Sequence, residues 1–287
     1  MTGSRTAAQG TAGVLRYDGA GFVPETGVAD TAPLLAADSW LVQDGTARFL
    51  DTHRDRFTAA CLEHGLAESG VEGFWHGALR RLPEAGTWFP RVELAADGRL
   101  RLRLRPAPPR GGAVVLWVCE PPDPRVCPRT KGPDIGALEA LRARARGLGA
   151  HEGLLTHGRG EVLEGTTTSL LWWSGDALCV PAAQLPTLPG VTTRCIQRHA
   201  RELGVEVRGV RAGIELLAEC EVWAVNALHG IRPVTGWLGA AGAPGPAPRA
   251  AAWQRWWSAQ AIPVDGWTGA ARNFVPAPPK SKGRELG

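Results

Sequence analysis

Residues 153–181 read GLLTHGRGEVLEGTTTSLLWWSGDALCVP. Apolar runs broken by turn signals at Gly158 and at Gly175-Asp176 predict antiparallel strands joined by tight turns. Downstream, LPTLPGVTTRCIQRHARELGVEVRGV (185–210) predicts a loop, a helix and a strand, and ELLAECEVWAVNALHGIRPVTGW (215–237) a short helix, a strand and a loop. A last helix, AAAWQRWWSAQ (250–260), precedes a tail rich in proline, glycine and charge. Upstream, IGALEALRARARGLG (135–149) is dense in helix formers, can be capped by Asp134 and stops at glycine.

PPDPRVCPRT (121–130) is too rich in proline for a helix or a central strand, so a domain linker is expected there. Ahead of it, residues 13–28 suggest short strands and turns. ADSWLVQDGTARFLDTHRDRF (37–57) reads as strand, Asp44-Gly45 turn, strand and a helix capped by Asp51 or Thr52. A second helix is expected over 71–82. The alternation in WFPRVELAADGRLRLRLRPAP (88–108) predicts a hairpin around Asp97-Gly98, and AVVLWVCE (113–120) another strand. The expected organisation is α/β (α+β) in two domains: a small one over 11–120, a linker over 121–131, a large one over 132–264, and a flexible tail over 265–287.

Composition narrows the function classes. A net charge of +4 over 287 residues, with arginines spread out rather than run together, gives nucleic-acid binding little support. No apolar run approaches the roughly 20 residues of a membrane span, and the start lacks the apolar core of a secretory signal. Six cysteines without CxxC spacing argue against a zinc site or a disulfide framework, which makes a reducing cytoplasm the expected location. Of the 12 tryptophans, the pairs Trp172-Trp173 and Trp256-Trp257 are candidates for a pocket wall or an interface, with core packing the alternative.

Of 32 lysines and arginines, only Lys131, Lys280 and Lys282 are lysine, and the last two fall in the tail. A lone lysine among arginines suggests a site needing what a guanidinium cannot do: lose a proton and attack a carbonyl.

These features, in order, resemble the class IV aminotransferases, the fold-type IV pyridoxal-phosphate enzymes, which include branched-chain and D-amino acid aminotransferases and aminodeoxychorismate lyases. The resemblance runs from about Asp38 to Pro233 and rests on VLEGTTTSLLW, LPGVTTR and CEVWAVNALHGIRPV. It implies a two-domain fold with pyridoxal 5'-phosphate between the domains and a homodimer, without a metal. By the resemblance, Lys131 is the Schiff-base lysine and proton shuttle, and Glu164 the carboxylate facing the ring nitrogen. Gly190, Val191 and Thr192 form the phosphate turn, where a helix N-terminus favours an anion. Arg56, in an H-x-x-R pattern, pairs with the phosphate, and Asn226 and Ala227 fall in the last phosphate loop. Trp40, Arg91, Ser169 and His229 are candidate substrate residues.

The chain departs from the family pattern in three places. Ile135 and Gly136 stand where many members have a tyrosine, Ser169 where asparagine is common, and Ala227 where serine or threonine is frequent. The implied activity is amino transfer between a small-molecule donor and a keto acid acceptor. The alternatives are release of 4-aminobenzoate and pyruvate from 4-amino-4-deoxychorismate, and a non-catalytic binding protein on the same fold.

Overall fold

The computed structural model describes residues 12–120, 122–158, 160–265 and 267. The first ten residues, and the tail expected from 265 apart from Asp265 and Trp267, lie outside the described residues.

The N-terminal elements are β1 (Gly13–Tyr17), β2 (Phe22–Glu25), β3 (Leu34–Ser39), β4 (Val42–Gln43), β5 (Thr46–Arg48), α1 (Leu50–Glu63), α2 (Glu68–Leu79), β6 (Thr87–Trp88), β7 (Arg91–Ala95) and β8 (Leu100–Leu104). Strands β2, β1, β8, β7 and β3 form an antiparallel sheet in that order. The helices bury Phe57, Phe74 and Trp75 against Trp40, Leu94 and Leu102. Each of these fully buried side chains contributes about 1.5–3 kcal/mol. On α1 the buried positions Leu50, His53, Phe57 and Cys61 lie on one helical face, which presses His53 toward β3.

Several expectations are corrected here. Helix α1 starts at Leu50, before the expected caps Asp51 and Thr52; its N-cap is Phe49, in left-handed backbone at φ 52°. Helix α2 runs from 68 rather than 71. The alternation of β7 and β8 predicts a solvated polar face, but every residue of both strands is buried. The polar side is covered by the end of β2 and the chain after it, where Arg101 meets Glu25 at 2.7 Å and Arg103 meets Asp30 at 2.9 Å.

The remaining elements are β9 (Val114–Val118), α3 (Ile135–Gly147), β10 (Glu152–His157), β11 (Glu161–Gly165), β12 (Ser169–Ser174), β13 (Ala177–Pro181), α4 (Val191–Glu202), β14 (Val207–Val210), β15 (Val222–Asn226), β16 (Gly230–Leu238), α5 (Ala250–Ala259) and β17 (Ala261–Pro263). The large sheet has the order β11-β10-β9-β16-β15-β12-β13-β14, and β11 also pairs with β12 at Glu164↔Ser169, so the strands from β11 round to β12 close on themselves. Strand β9, expected in the N-terminal unit, instead pairs in parallel with β10 and β16 inside this sheet. Its sequence VVLWV is apolar on both faces, as an interior strand requires. Residues 230–238, expected as a loop, form β16; Pro233 precedes Val234, where pairing with β9 begins, so its missing N–H falls outside that ladder. Strand β17, expected with the C-terminal unit, returns to pair with β5, a short strand of the sheet β17-β5-β4-β6.

The tryptophan pairs are packing residues. Trp172, Trp173 and Trp257 are buried, and Trp256 stacks on His199 at 3.9 Å.

Candidate active site

Between the N-terminal sheet with α1 and the large sheet with α3 and α4 lies a cavity of about 410 Å³, within the usual range for small-molecule sites. Lys131 enters it from the segment between β9 and α3. Its carbonyl accepts a hydrogen bond from Ala37 N–H at 2.6 Å, and Gly132, at φ +138°, brings the backbone so close to β3 that a Cβ would sit 2.9 Å from Ala36. Among the described residues no carboxylate pairs with the Lys131 amine. Burial lowers its pKa to about 8, Arg56 adds repulsion that Asp38 opposes, and Arg105 and Arg91 lower it further. An appreciable share of the amine is therefore unprotonated near neutrality.

Glu164 lies at the end of β11, 5% exposed. Its Oε1 accepts from Leu188 N–H at 2.8 Å and from Arg125, and its Oε2 has no partner among the described residues. Burial pushes its pKa up to about 7, against the opposing pull of Arg125 and the Leu188 N–H. Arg125, which sequence reasoning missed, comes from the proline-rich segment and also grips Asp123 at 2.7 Å and the Pro186 carbonyl at 2.8 Å. Its position in PPDPRVCPRT looked like linker chemistry; only the fold brings it 39 residues forward to Glu164. Asp134, expected to cap α3, instead accepts from the N–H groups of Val126 and Cys127 at 2.9 Å and so anchors the same segment.

Gly190 is the N-cap of α4, whose first N–H groups, at Val191 and Thr192, have no acceptor within the helix. A Cβ on Gly190 would lie 2.6 Å from Ser169 Oγ, which is how closely β12 approaches the turn. The hydroxyls of Ser39, Thr166 and Thr192 are buried on the cavity lining without partners among the described residues. Arg56 reaches this end from α1: its Nε and Nη2 donate to Asp38 at 2.8 and 2.9 Å, and its Nη1 to the Pro189 carbonyl at 3.4 Å. Asp38 also takes His53 Nδ1 at 2.7 Å; Arg56 and His53 hold its carboxyl well below the usual range despite full burial.

Ten of the twelve sequence-predicted residues line this cavity: Lys131, Glu164, Arg56, Gly190, Val191, Thr192, Ser169, Arg91, Asn226 and Ala227. Two do not. Trp40 is 1% exposed and packed between His53 and Trp75, inside the N-terminal core. His229 is buried behind the β15–β16 turn, where burial and Arg232 lower its pKa to about 4. Asn226 reaches the cavity with its side chain already used: Oδ1 accepts from Leu228 and His229 N–H, and Nδ2 donates to the Thr167 carbonyl at 3.1 Å. Arg91 is committed to Glu93 at 2.7 Å.

Arg105, just after β8, was also missed. Its guanidinium lies over the Phe89 ring at 5.3 Å and donates Nε to the Phe89 carbonyl at 2.8 Å, but meets no carboxylate among the described residues. Burial and Arg91 lower its pKa to about 10. The alternating RLRLR signal treats three arginines alike; strand pairing hides Arg103 and leaves Arg105 facing the cavity.

The donor set fits a pyridoxal phosphate. It offers an unpaired amine for the aldehyde, a carboxylate oxygen for the ring nitrogen, and a helix N-terminus with free hydroxyls and a guanidinium for the phosphate. Among the described residues no cluster of His, Cys, Asp or Glu could hold a metal, and no helix is long and apolar enough to cross a membrane.

The profile of the family described as amino-transferase class IV matches residues 35–237. The aminodeoxychorismate lyase of Bacillus subtilis (strain 168) is 33% identical over 85 residues, a stretch that spans 29% of this chain and 29% of that protein. Among solved structures, a hypothetical aminotransferase from Mycobacterium tuberculosis, in its PLP-bound form, superposes with a TM-score of 0.70 at 19% identity, covering 87% of this chain and 98% of that one. The branched-chain amino acid aminotransferase of Escherichia coli gives a TM-score of 0.70 at 18% identity, covering 85% and 92%. At such identities the likeness is one of fold.

Proposed function

The chain belongs to the class IV aminotransferase family, and on that premise we propose that it moves an amino group between an amino donor and a keto acid, acting as a homodimer. The observation that carries this reading is the unpaired Lys131 amine, with its pKa lowered to about 8, sharing one cavity with Glu164 and the N-terminus of α4. Pyridoxal 5'-phosphate, the family's cofactor, supplies the aldehyde and an electron-withdrawing ring.

The chain's own residues do the rest. Lys131 Nζ would hold the cofactor aldehyde and, when free, would act as the base that carries the proton lost by the substrate carbon. Glu164 Oε2 would accept a hydrogen bond from the protonated ring nitrogen, and Arg125 favours the ionised carboxylate this needs. Arg56, the Val191 and Thr192 N–H groups and the Thr192 hydroxyl would hold the phosphate. Arg105, the unpaired cation opposite, meets a carboxylate of the substrate.

A second reading, release of pyruvate from 4-amino-4-deoxychorismate, uses the same lysine and is favoured by the partial identity to the Bacillus subtilis lyase. The deciding experiment follows the visible absorbance of the purified chain with added pyridoxal phosphate through a panel of amino donors, alongside pyruvate release from 4-amino-4-deoxychorismate. Conversion of the band by a donor supports amino transfer, and pyruvate release without conversion supports the lyase. A chain that never gives a band is neither. Lys131→Ala should abolish the band and all turnover.

A further inference from the structure

Phe49, the residue from which α1 starts, is held in left-handed backbone at φ 52°. Among the described residues the other non-glycines at positive φ are Asp44 and Glu219. A bulky aromatic residue is strained in that region and persists there only where the surrounding packing holds it. What holds Phe49 comes from the far end of the chain. Its ring lies 5.0 Å from that of Trp257 and 6.2 Å from that of Trp256 on α5, and the Arg198 guanidinium of α4 sits over it at 5.6 Å. Arg48, one residue earlier, strengthens the same joint by donating Nε to the Trp257 carbonyl at 3.0 Å.

The exchange runs both ways. Phe49 packs against the apolar cluster of the large sheet that includes Val191 and Cys195 of α4. The chain beyond α5 crosses in the other direction: β17 pairs with β5, and Val264 is buried in the N-terminal core. Trp267 packs on that core and donates Nε1 to Asp51 of α1 at 2.8 Å. The first turn of α1 is therefore clasped by α4, by α5 and by the segment that follows them.

That turn sets the reach of Arg56, roughly two turns further along the helix. Thr52, between them, meets the Cys195 thiol of α4, and Arg56 Nη1 reaches the carbonyl of Pro189, the residue before the N-cap Gly190, at 3.4 Å. Asp38 fixes the Arg56 guanidinium within the N-terminal unit. How close the guanidinium comes to the N-terminus of α4 depends instead on how the two units are docked, which is what the contacts of Phe49 hold. Lys131 does not depend on them, because its backbone is tied to β3 by a separate hydrogen bond, and Glu164 lies within the C-terminal unit.

We propose that Phe49 is a positioning residue: docked against α4 and α5, it holds α1 so that Arg56 completes the anion site at the N-terminus of α4. The inference rests on the proposed function only in naming pyridoxal phosphate as the molecule whose phosphate is bound there.

Phe49→Gly tests it, since glycine removes the ring and keeps the left-handed backbone without strain. Binding of pyridoxal phosphate, and of pyridoxal, which lacks the phosphate, is followed by quenching of tryptophan fluorescence. The unaltered chain should prefer pyridoxal phosphate. In Phe49→Gly that preference should shrink about 10-fold, the worth of one charged hydrogen-bonded contact, with pyridoxal affinity unchanged. Phe49→Tyr keeps the ring and should restore the preference. Arg48→Met removes the adjoining hydrogen bond and should shrink the preference by a smaller factor, which keeps the test decisive if the glycine variant does not fold. A merely structural Phe49 predicts a lower melting temperature with the ratio of affinities intact. The proposal is overturned if the unaltered chain does not distinguish the two compounds, or if the variants leave their ratio unchanged. Conversion of the visible band by amino donors on the same samples separates the two claims. An unchanged ratio beside normal conversion overturns the positioning role and leaves amino transfer standing. A ratio that falls in the variants, while no donor converts the band of the unaltered chain, supports the positioning role and sinks amino transfer.

Discussion

Arg125 donates to Glu164 Oε1 across 39 residues of sequence, and so joins the proline-rich segment after β9 to the buried end of β11. Glu164 is already pushed up to about 7 by burial, so its ionisation depends on this partner. Arg125→Met should drive the Glu164 pKa higher and leave the carboxyl protonated at neutrality, weakening its hold on a ring nitrogen. The measurement is the pH dependence of cofactor absorbance, whose low-pH limb should move up by about one unit or more. An unmoved limb would mean that Arg125 only tethers the loop.

Glu164 also makes a stability prediction. Its folded pKa, about 7, lies above the unfolded value of 4.5, so the folded state holds the proton more tightly. The resulting stabilisation is full below about pH 4.5 and is lost as pH rises through about 7. Thermal melts of the cofactor-free chain across this window should show that decline, and Glu164→Gln should flatten it.

Lys131 should capture aldehydes faster as pH rises to about 8 and at a constant rate above, because its folded pKa sits there instead of at 10.5. Stopped-flow absorbance with pyridoxal phosphate reads the midpoint. Arg56→Met removes the strongest neighbouring cation and should move the midpoint upward, while weakening phosphate binding by about 10-fold or more. A midpoint near 10.5 in the unaltered chain would contradict the burial of the amine.

Asp38 is fully buried between His53 and Arg56. Asp38→Asn leaves Arg56 without its counter-ion and should cost about 3–5 kcal/mol in chemical denaturation. Since the folded pKa is depressed below 3.8, the contribution of Asp38 is present above that pH and fades as pH falls below it. The variant should therefore differ least from the parent in acid.

Two glycines five residues from Lys131 or nearer should respond in opposite senses. Gly132→Ala places a Cβ 2.9 Å from Ala36 at a φ of +138°, so about 2 kcal/mol or more of stability should go, and the Lys131 backbone should shift from β3. At Gly136, in the first turn of α3, a methyl group would meet nothing within 4 Å, and Gly136→Ala should be neutral or stabilising by up to about 1 kcal/mol. Denaturation midpoints of the pair are the check.

What the sequence determined by itself is the part written in local patterns. Glycine turns and apolar runs are set by neighbours in the chain, and the resemblance carried by VLEGTTTSLLW, LPGVTTR and CEVWAVNALHGIRPV named ten residues that line one cavity. Only the tertiary structure decided which polar groups are already satisfied. Asn226 is spent on its own turn, Arg91 on Glu93, and Trp40 and His229 lie in packed surroundings, while Arg105 and Arg142 remain without a carboxylate among the described residues of the lining. The same holds for β9, whose apolar run fits either unit until it pairs with β10 and β16. The physical reason is common to all of these: a side chain's type fixes what it can bind, but its free valence depends on partners tens of residues away, and those are set by folding.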